Sequence, residues 1–183
     1  MGLYCSKNAK PVCQNVLNHG VQRLMSLNID VKHQVTTCSG LSCICRVIDV
    51  YDGDTITVAV DSGHVPLIYK LRLIDIDAPE RKPRLNKPSR DLEKLAANLV
   101  TEWLKQFILG RIVMIHFKGE DKYGRRLGYV HSYDDSMTFL SVKSINQELL
   151  DKRYAKKYSG ATKESFNDYE LTQIESGLQC LMR

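Results

Sequence analysis

The chain has 183 residues, of which 43% are hydrophobic and 26% charged, a composition that buries a core and excludes wholesale disorder or a fibrous protein. Its length fits one domain with an extension at roughly 100 to 200 residues per domain, and its longest apolar runs, near 107–109 and 112–115, fall far short of the ~20 residues a membrane span needs. Lysine and arginine number 26 against 21 acids, net +5, which permits a polyanionic partner without requiring one.

At the amino end, Met1-Gly2-Leu-Tyr-Cys5-Ser6 fits the Met-Gly-x-x-x-Ser signal for myristoylation, with Cys5 as a second acylation position. One acyl chain binds a membrane only marginally, so association would need Cys5 or the basic residues Lys7, Lys10 and Arg23. No apolar secretory region is visible, which makes the cytoplasm the default compartment and reduced thiols the expectation. Six cysteines lack paired zinc spacing. Apolar residues from Val12 to Met25 recur at helical spacing after Pro11, and 35–42 is small, polar and turn-forming. Residues 1–42 therefore read as an arm with a short amphipathic helix and a linker.

Beyond the linker, β-branched residues predict three antiparallel strands at 43–50, 55–60 and 67–76, with a turn at 61–64. An apolar stripe from Leu92 to Phe107 predicts a helix capped by Ser89 or Asp91 and stopped by Gly110. Strands follow at 111–117 and 126–132, then helical patterns at about 140–154 and 164–181. Five strands with helices predict a small α+β barrel.

Three clusters carry chemistry. Asp52-Gly-Asp54-Thr55 is a tight turn that can aim two carboxylates outward. Arg72 to Glu80 puts three acids and an arginine at the end of a leucine- and isoleucine-rich strand, where charge is costly unless paired or metal-bound. Asp121-Lys-Tyr-Gly-Arg125 is a hairpin turn that can project a guanidinium, whose planar fork suits phosphate. Together they supply carboxylates for a metal, one for proton abstraction, and arginines for a charged transition state, an inventory that fits phosphodiester hydrolysis. Strict alternation sets Arg72 and Asp77 on opposite strand faces, so their convergence requires a bulge or an early strand end.

On these motifs, with Asn146-x-x-Leu149, the chain resembles the staphylococcal nuclease family over roughly residues 43–158. The resemblance implies a five-stranded oligonucleotide-binding-type barrel (OB-fold) with about three helices, and calcium-dependent cleavage of single-stranded or unwound DNA and RNA leaving 3′-phosphates. It implies Asp54, Asp77 and the carbonyl of Ala78 as calcium ligands, Glu80 as general base on water, and Arg72 and Arg125 on the attacked phosphate. Thr55 matches a position close to the metal, and Lys122 and Tyr123 match residues near the nucleotide's other phosphate.

The sequence departs from the family at Asp75, where an apolar residue is usual, at Arg153, which replaces a glycine, and in the nucleotide-contacting aromatic pair, for which Tyr158 is the nearest candidate. After Glu80, residues 81–90 hold five basic residues, two prolines and no acid, which read as a cationic lip for a nucleic-acid backbone. Residues 159–183 carry two basic and four acidic residues and read as a helix packed on the barrel. The expected whole is a monomeric nuclease; the alternatives are a non-catalytic nucleic-acid or protein-binding module of the same fold, and a membrane-tethered adaptor.

Overall fold

The computed structural model describes residues 40–61, 66–132 and 143–181, together with Gln22. The acylation positions Gly2 and Cys5, the predicted helix of the arm and most of the turn at 61–64 lie outside the described residues. Among those described, no helix is long and apolar enough to cross a membrane.

Strands β1 (Ser42–Val50), β2 (Thr55–Val60) and β3 (Leu67–Leu73) form an antiparallel meander, and β4 is a two-residue strand, Ile76–Asp77. Helix α1 (Arg90–Ile108) follows, then β5 (Ile112–Glu120), β6 (Arg126–Ser132), α2 (Ile145–Asp151), β7 (Lys156–Lys157) and α3 (Asp168–Leu181). The barrel closes in the order β1-β2-β3-β6-β5, with β3 and β6 parallel and β5 returning to β1. Among the described residues, five barrel strands and three helices make the α+β barrel that the pattern predicts and the OB-type architecture that the resemblance implies. The β4–β7 pair forms a separate two-stranded sheet that periodicity did not foretell.

Alternation along β1 buries Cys43, Cys45 and Val47, and a bulge between Val47 and Asp49 resets the pattern so that Val50 is buried too. Val58, Leu71, Ile115, Phe117 and Val130 help fill the barrel core. The stripe on α1 buries Ala96, Val100, Leu104 and Ile108, and α3 packs against it with Leu171, Ile174 and Leu178. At about 1.5–3 kcal/mol for each large aliphatic side chain buried, those three residues hold α3 in place.

Helix ends follow local chemistry rather than the apolar pattern. Ser89 is the N-cap of α1 without a side-chain cap bond; its carbonyl accepts from Glu93 N at 2.9 Å. Of the pattern at 140–154, residues 140–142 lie outside the described residues; among the rest helix α2 starts after Ser144, whose Oγ accepts from Gln147 N, and ends before Arg153, which turns left-handed (φ +61°). Helix α3 begins at Asp168 rather than 164, where Asn167 and Glu170 cap each other reciprocally at 2.9 and 2.8 Å. Cys43 is disulfide-bonded, which corrects the expectation that all six thiols are reduced. Cys45, two residues on, is a buried thiol 3.6 Å from the Cys43 carbonyl.

Candidate active site

Asp54 is aimed inward by the turn between β1 and β2. Asp52 Oδ1 accepts from Asp54 N at 3.1 Å, and Tyr51 N donates to Thr55 O at 2.9 Å. Gly53 is required here: a Cβ would lie 2.8 Å from both Ala78 Cβ and Val100 Cγ1. The turn is therefore pressed against α1 and the segment after β4, and Leu73 N ties it to β3 by donating to Asp54 O at 2.8 Å.

Arg72 and Asp77 converge by an early strand end, not a bulge. Strand β3 stops at Leu73 instead of continuing to Ile76, and the chain turns at Ile74–Asp75 before β4 begins. Asp75 takes φ +64°, a left-handed conformation that aspartate tolerates better than most residues. Asn146, fully enclosed, pins this turn: its Nδ2 donates to Ile74 O at 2.9 Å and Gly128 O at 3.2 Å, and its Oδ1 accepts from Val130 N at 3.0 Å. Pairing of Asp77 with Lys156 in the small sheet fixes the far side.

The outcome is a buried charge cluster. Arg72 Nη1 donates to Asp54 Oδ1 at 2.7 Å, while Nη2 donates to Asp77 Oδ1 at 3.0 Å and to the Ile76 carbonyl at 3.2 Å. The three side chains are only 11%, 7% and 7% exposed. Asp54 also accepts from Thr55 Oγ1 at 2.9 Å and Ala78 N at 3.3 Å. Burial nonetheless pushes its pKa up from 3.8 to about 6; the Arg72 charge opposes that rise and Asp52 adds to it. For Arg72, burial opposes the charge, but Asp54 and Asp77 prevail and hold its pKa above the ordinary value.

Around this floor lies an open cleft of about 760 Å³, bordered by Asp52, Glu80, Lys122, Tyr123, Arg125 and Tyr158 among others. Arg125 Nη1 donates to Thr55 Oγ1 at 3.2 Å, so the Thr55 hydroxyl links it to Asp54. Arg125 Nε donates to Asp121 Oδ2 at 2.7 Å, and Asp121 Oδ1 accepts from Tyr123 N and Arg125 N at 2.8 and 3.0 Å. Burial alone would raise the Asp121 pKa, yet these bonds hold it below the usual carboxylate range. Gly124 (φ +79°) supplies the left-handed step of this turn. Tyr123 stands exposed under the Lys122 and Arg125 cations, and the Tyr158 ring centroid lies 5.6 Å from the Arg72 guanidinium.

Three residues at the site carried no motif. Lys163, in the stretch between β7 and α3, donates to Asp77 Oδ1 at 2.7 Å and Glu80 Oε1 at 2.5 Å. Burial works against its charge, but the bonds and charges of Asp77 and Glu80 raise its pKa. Glu93 is buried on α1, accepts from Glu80 N at 3.3 Å and pairs with Lys87 at 2.6 Å. Tyr51 accepts at its carbonyl from Arg81 Nη1 at 2.7 Å. Lys87 and Arg81 of the basic loop thus serve structure, while Lys82 and Arg84 line an adjoining hollow of about 590 Å³ that also borders Glu80 and Lys163. Lys163 had no sequence signal because it lies outside every periodic segment, on a strand-free and helix-free stretch.

No cluster of three or more histidine, cysteine, aspartate and glutamate side chains stands ready as a metal cage among the described residues. Two buried carboxylates, Asp54 at the cleft and Asp77 at the adjoining hollow, lie beside the Ala78 backbone, with Asp52 and Glu80 near them. These are hard oxygen donors of the kind calcium takes with water completing its shell. On the chemistry of these oxygen donors the residues fit a divalent cation.

Residues 70–177 match the family described as staphylococcal nuclease homologue. An Escherichia coli O157:H7 protein named as an endonuclease is 36% identical over 89 residues, covering 49% of this chain and 48% of its own. A Haemophilus influenzae protein, likewise named as an endonuclease, is 28% identical over 109 residues, 60% of this chain and 53% of its own. A probable endonuclease of Yarrowia lipolytica is 31% identical over 97 residues, 53% and 39% of the two chains. The chain spans about half the length of the curated relatives it matches.

Proposed function

We propose, for a chain that belongs to the staphylococcal nuclease family, a calcium-dependent nuclease activity on single-stranded or unwound DNA and RNA that leaves 3′-phosphates. The observation that carries this reading is the Arg72 guanidinium, at a cleft that Asp54, Glu80 and Arg125 also line, joining Asp54 to Asp77 of the adjoining hollow. The names of the three relatives support the same reaction class.

Asp54, Asp77 and the Ala78 carbonyl would hold the calcium, which when bound supplies a Lewis acid for phosphate oxygen and offsets negative charge at the floor. Glu80, at the cleft wall, takes a proton from the water that attacks phosphorus in line with the departing 5′-oxygen. Arg72 and Arg125 hold the non-bridging oxygens and stabilise the charge that builds on them. Thr55 keeps Arg125 registered against Asp54, and Lys122 with Tyr123 engages the neighbouring phosphate. Tyr158 offers a stacking face displaced from the usual pair. A flexible strand suits a site that must surround the phosphodiester.

The test is digestion of heat-denatured DNA and of RNA with calcium, with magnesium and with chelator, beside Glu80→Ala. Cleavage should require calcium and fall by roughly a hundredfold to ten-thousandfold in the variant. Absence of cleavage over a wide calcium and pH range, with retained nucleic-acid binding, replaces this reading with the non-catalytic module. Tethering of a monomer through acylated Gly2 and Cys5 is a separate part of the proposal, supported by the Met1–Ser6 pattern. Vesicle partitioning that disappears in Gly2→Ala is its expected signature.

A further inference from the structure

We infer that Lys163 is a built-in competitor of the metal: its ammonium occupies Asp77, one of the carboxylates that would hold the cation, and Glu80 beside it. This rests on the metal reading proposed above and goes beyond the ligand set, because it makes a residue of the tail a determinant of metal affinity.

The geometry supports a cation seat rather than a casual surface contact. One ammonium spans Asp77 Oδ1 at 2.7 Å and Glu80 Oε1 at 2.5 Å, and Asp77 Oδ1 already accepts from Arg72 Nη2 at 3.0 Å. A cation drawn to Asp77 therefore meets two resident positive charges, one rigid and one not. Arg72 is clamped by three hydrogen bonds in the floor. The Lys163 and Glu80 side chains are 44% and 52% exposed, and a compact ammonium on a flexible four-carbon stem can leave without moving the backbone.

The backbone around it is anchored on both sides, so the contact is presented rather than accidental. Tyr158 N donates to Asp75 O at 3.0 Å on one side. On the other, Lys156 Nζ donates to Ser165 O at 2.9 Å and Phe166 is buried. Lys163 and Glu80 both border the 760 Å³ cleft and the 590 Å³ hollow, so the released side chain has solvent on either side. An exposed ion pair is weak enough to be exchanged yet strong enough to be read in a binding constant.

The experiment is calorimetric titration of calcium chloride into the full chain, as wild type, Lys163→Met, Lys163→Arg and Asp77→Asn. Lys163→Met should bind calcium roughly threefold to tenfold more tightly, with Lys163→Arg close to wild type. Lys163→Gln, added as a polar uncharged variant one atom shorter than lysine, should tighten binding likewise, which separates lost charge from lost polarity. Calcium binding that is unchanged or weakened in Lys163→Met, while still abolished by Asp77→Asn, overturns the competitor role and leaves the metal reading standing. No calcium binding by any form removes the metal reading and this inference with it.

Discussion

The floor of the site and its rim are built from the same residue types and obey different physics. On the floor, Asp54, Arg72 and Asp77 are enclosed, and both Arg72 Nη atoms are engaged by carboxylates whose backbone other elements hold. At the rim, Glu80 and Lys163 meet with about half of each side chain in solvent. Low dielectric makes the floor pairs strong and their rupture expensive, whereas water screens the rim pair until it is worth little. A site that exchanges ligands needs both: charges that stay where they are put, and charges that let go.

The comparison breaks hardest at Arg72. Arg72→Met should destabilise the fold by about 3–5 kcal/mol at neutral pH, measured by urea unfolding, because it leaves two buried carboxylates without their shared cation. The Asp54 pKa is already raised by burial against the pull of Arg72, so loss of that cation raises it further, and the penalty is full at high pH and relieved as pH falls. A loss below about 1 kcal/mol would show that the floor is as well solvated as the rim.

Asn146→Ala comes next, at about 2–3 kcal/mol, since it strands the Ile74 carbonyl and the Val130 amide and leaves the Gly128 carbonyl with only its bond from Ile74 N. The proposed cleavage should fall as well, because the turn that brings Arg72 to Asp77 loses its pin. Asp121→Asn is intermediate, at about 1–2 kcal/mol near neutral pH. The folded pKa of Asp121 lies below its ordinary 3.8, so its contribution is present above that unfolded value and is lost as pH falls through the folded one. Wild type and variant should therefore converge in acid unfolding below about pH 4. Smallest of all, Glu80→Gln should shift stability by no more than about 0.5 kcal/mol while removing most cleavage, the separation of stability from chemistry that the rim predicts.

Much of the barrel was readable because its signals are local. β2 appears at the residues where alternation of Ile56, Val58 and Val60 set it, and α1 follows its apolar stripe to within two residues of the reading. The small β4–β7 sheet was not readable, since two-residue strands have no period to detect. Capping by Ser144 and Asn167 places the starts of α2 and α3, a local polar signal that the apolar pattern does not carry. Asp75 and Arg153 stood out as departures from the family; the structure shows that both occupy left-handed backbone, a conformation glycine adopts most cheaply. Asp75 also accepts a hydrogen bond from the Tyr129 hydroxyl and gives its carbonyl to Tyr158, so the departure is woven into the turn.

By itself the sequence determined the chemical inventory and the order of elements: acids in a glycine turn, acids and an arginine at a strand end, an arginine in a hairpin, each written within a few consecutive residues. Only the tertiary structure decided how they meet. The parity of β3 set Arg72 against Asp77 until the chain stopped pairing at Leu73 and turned, and that stop is enforced by Asn146 from α2, more than seventy residues away in sequence. Lys163 reaches the same acids from the tail by a contact that no spacing encodes. Residue type and short-range order are local properties of a chain, whereas which charges share a low-dielectric space is fixed by packing between segments far apart in sequence.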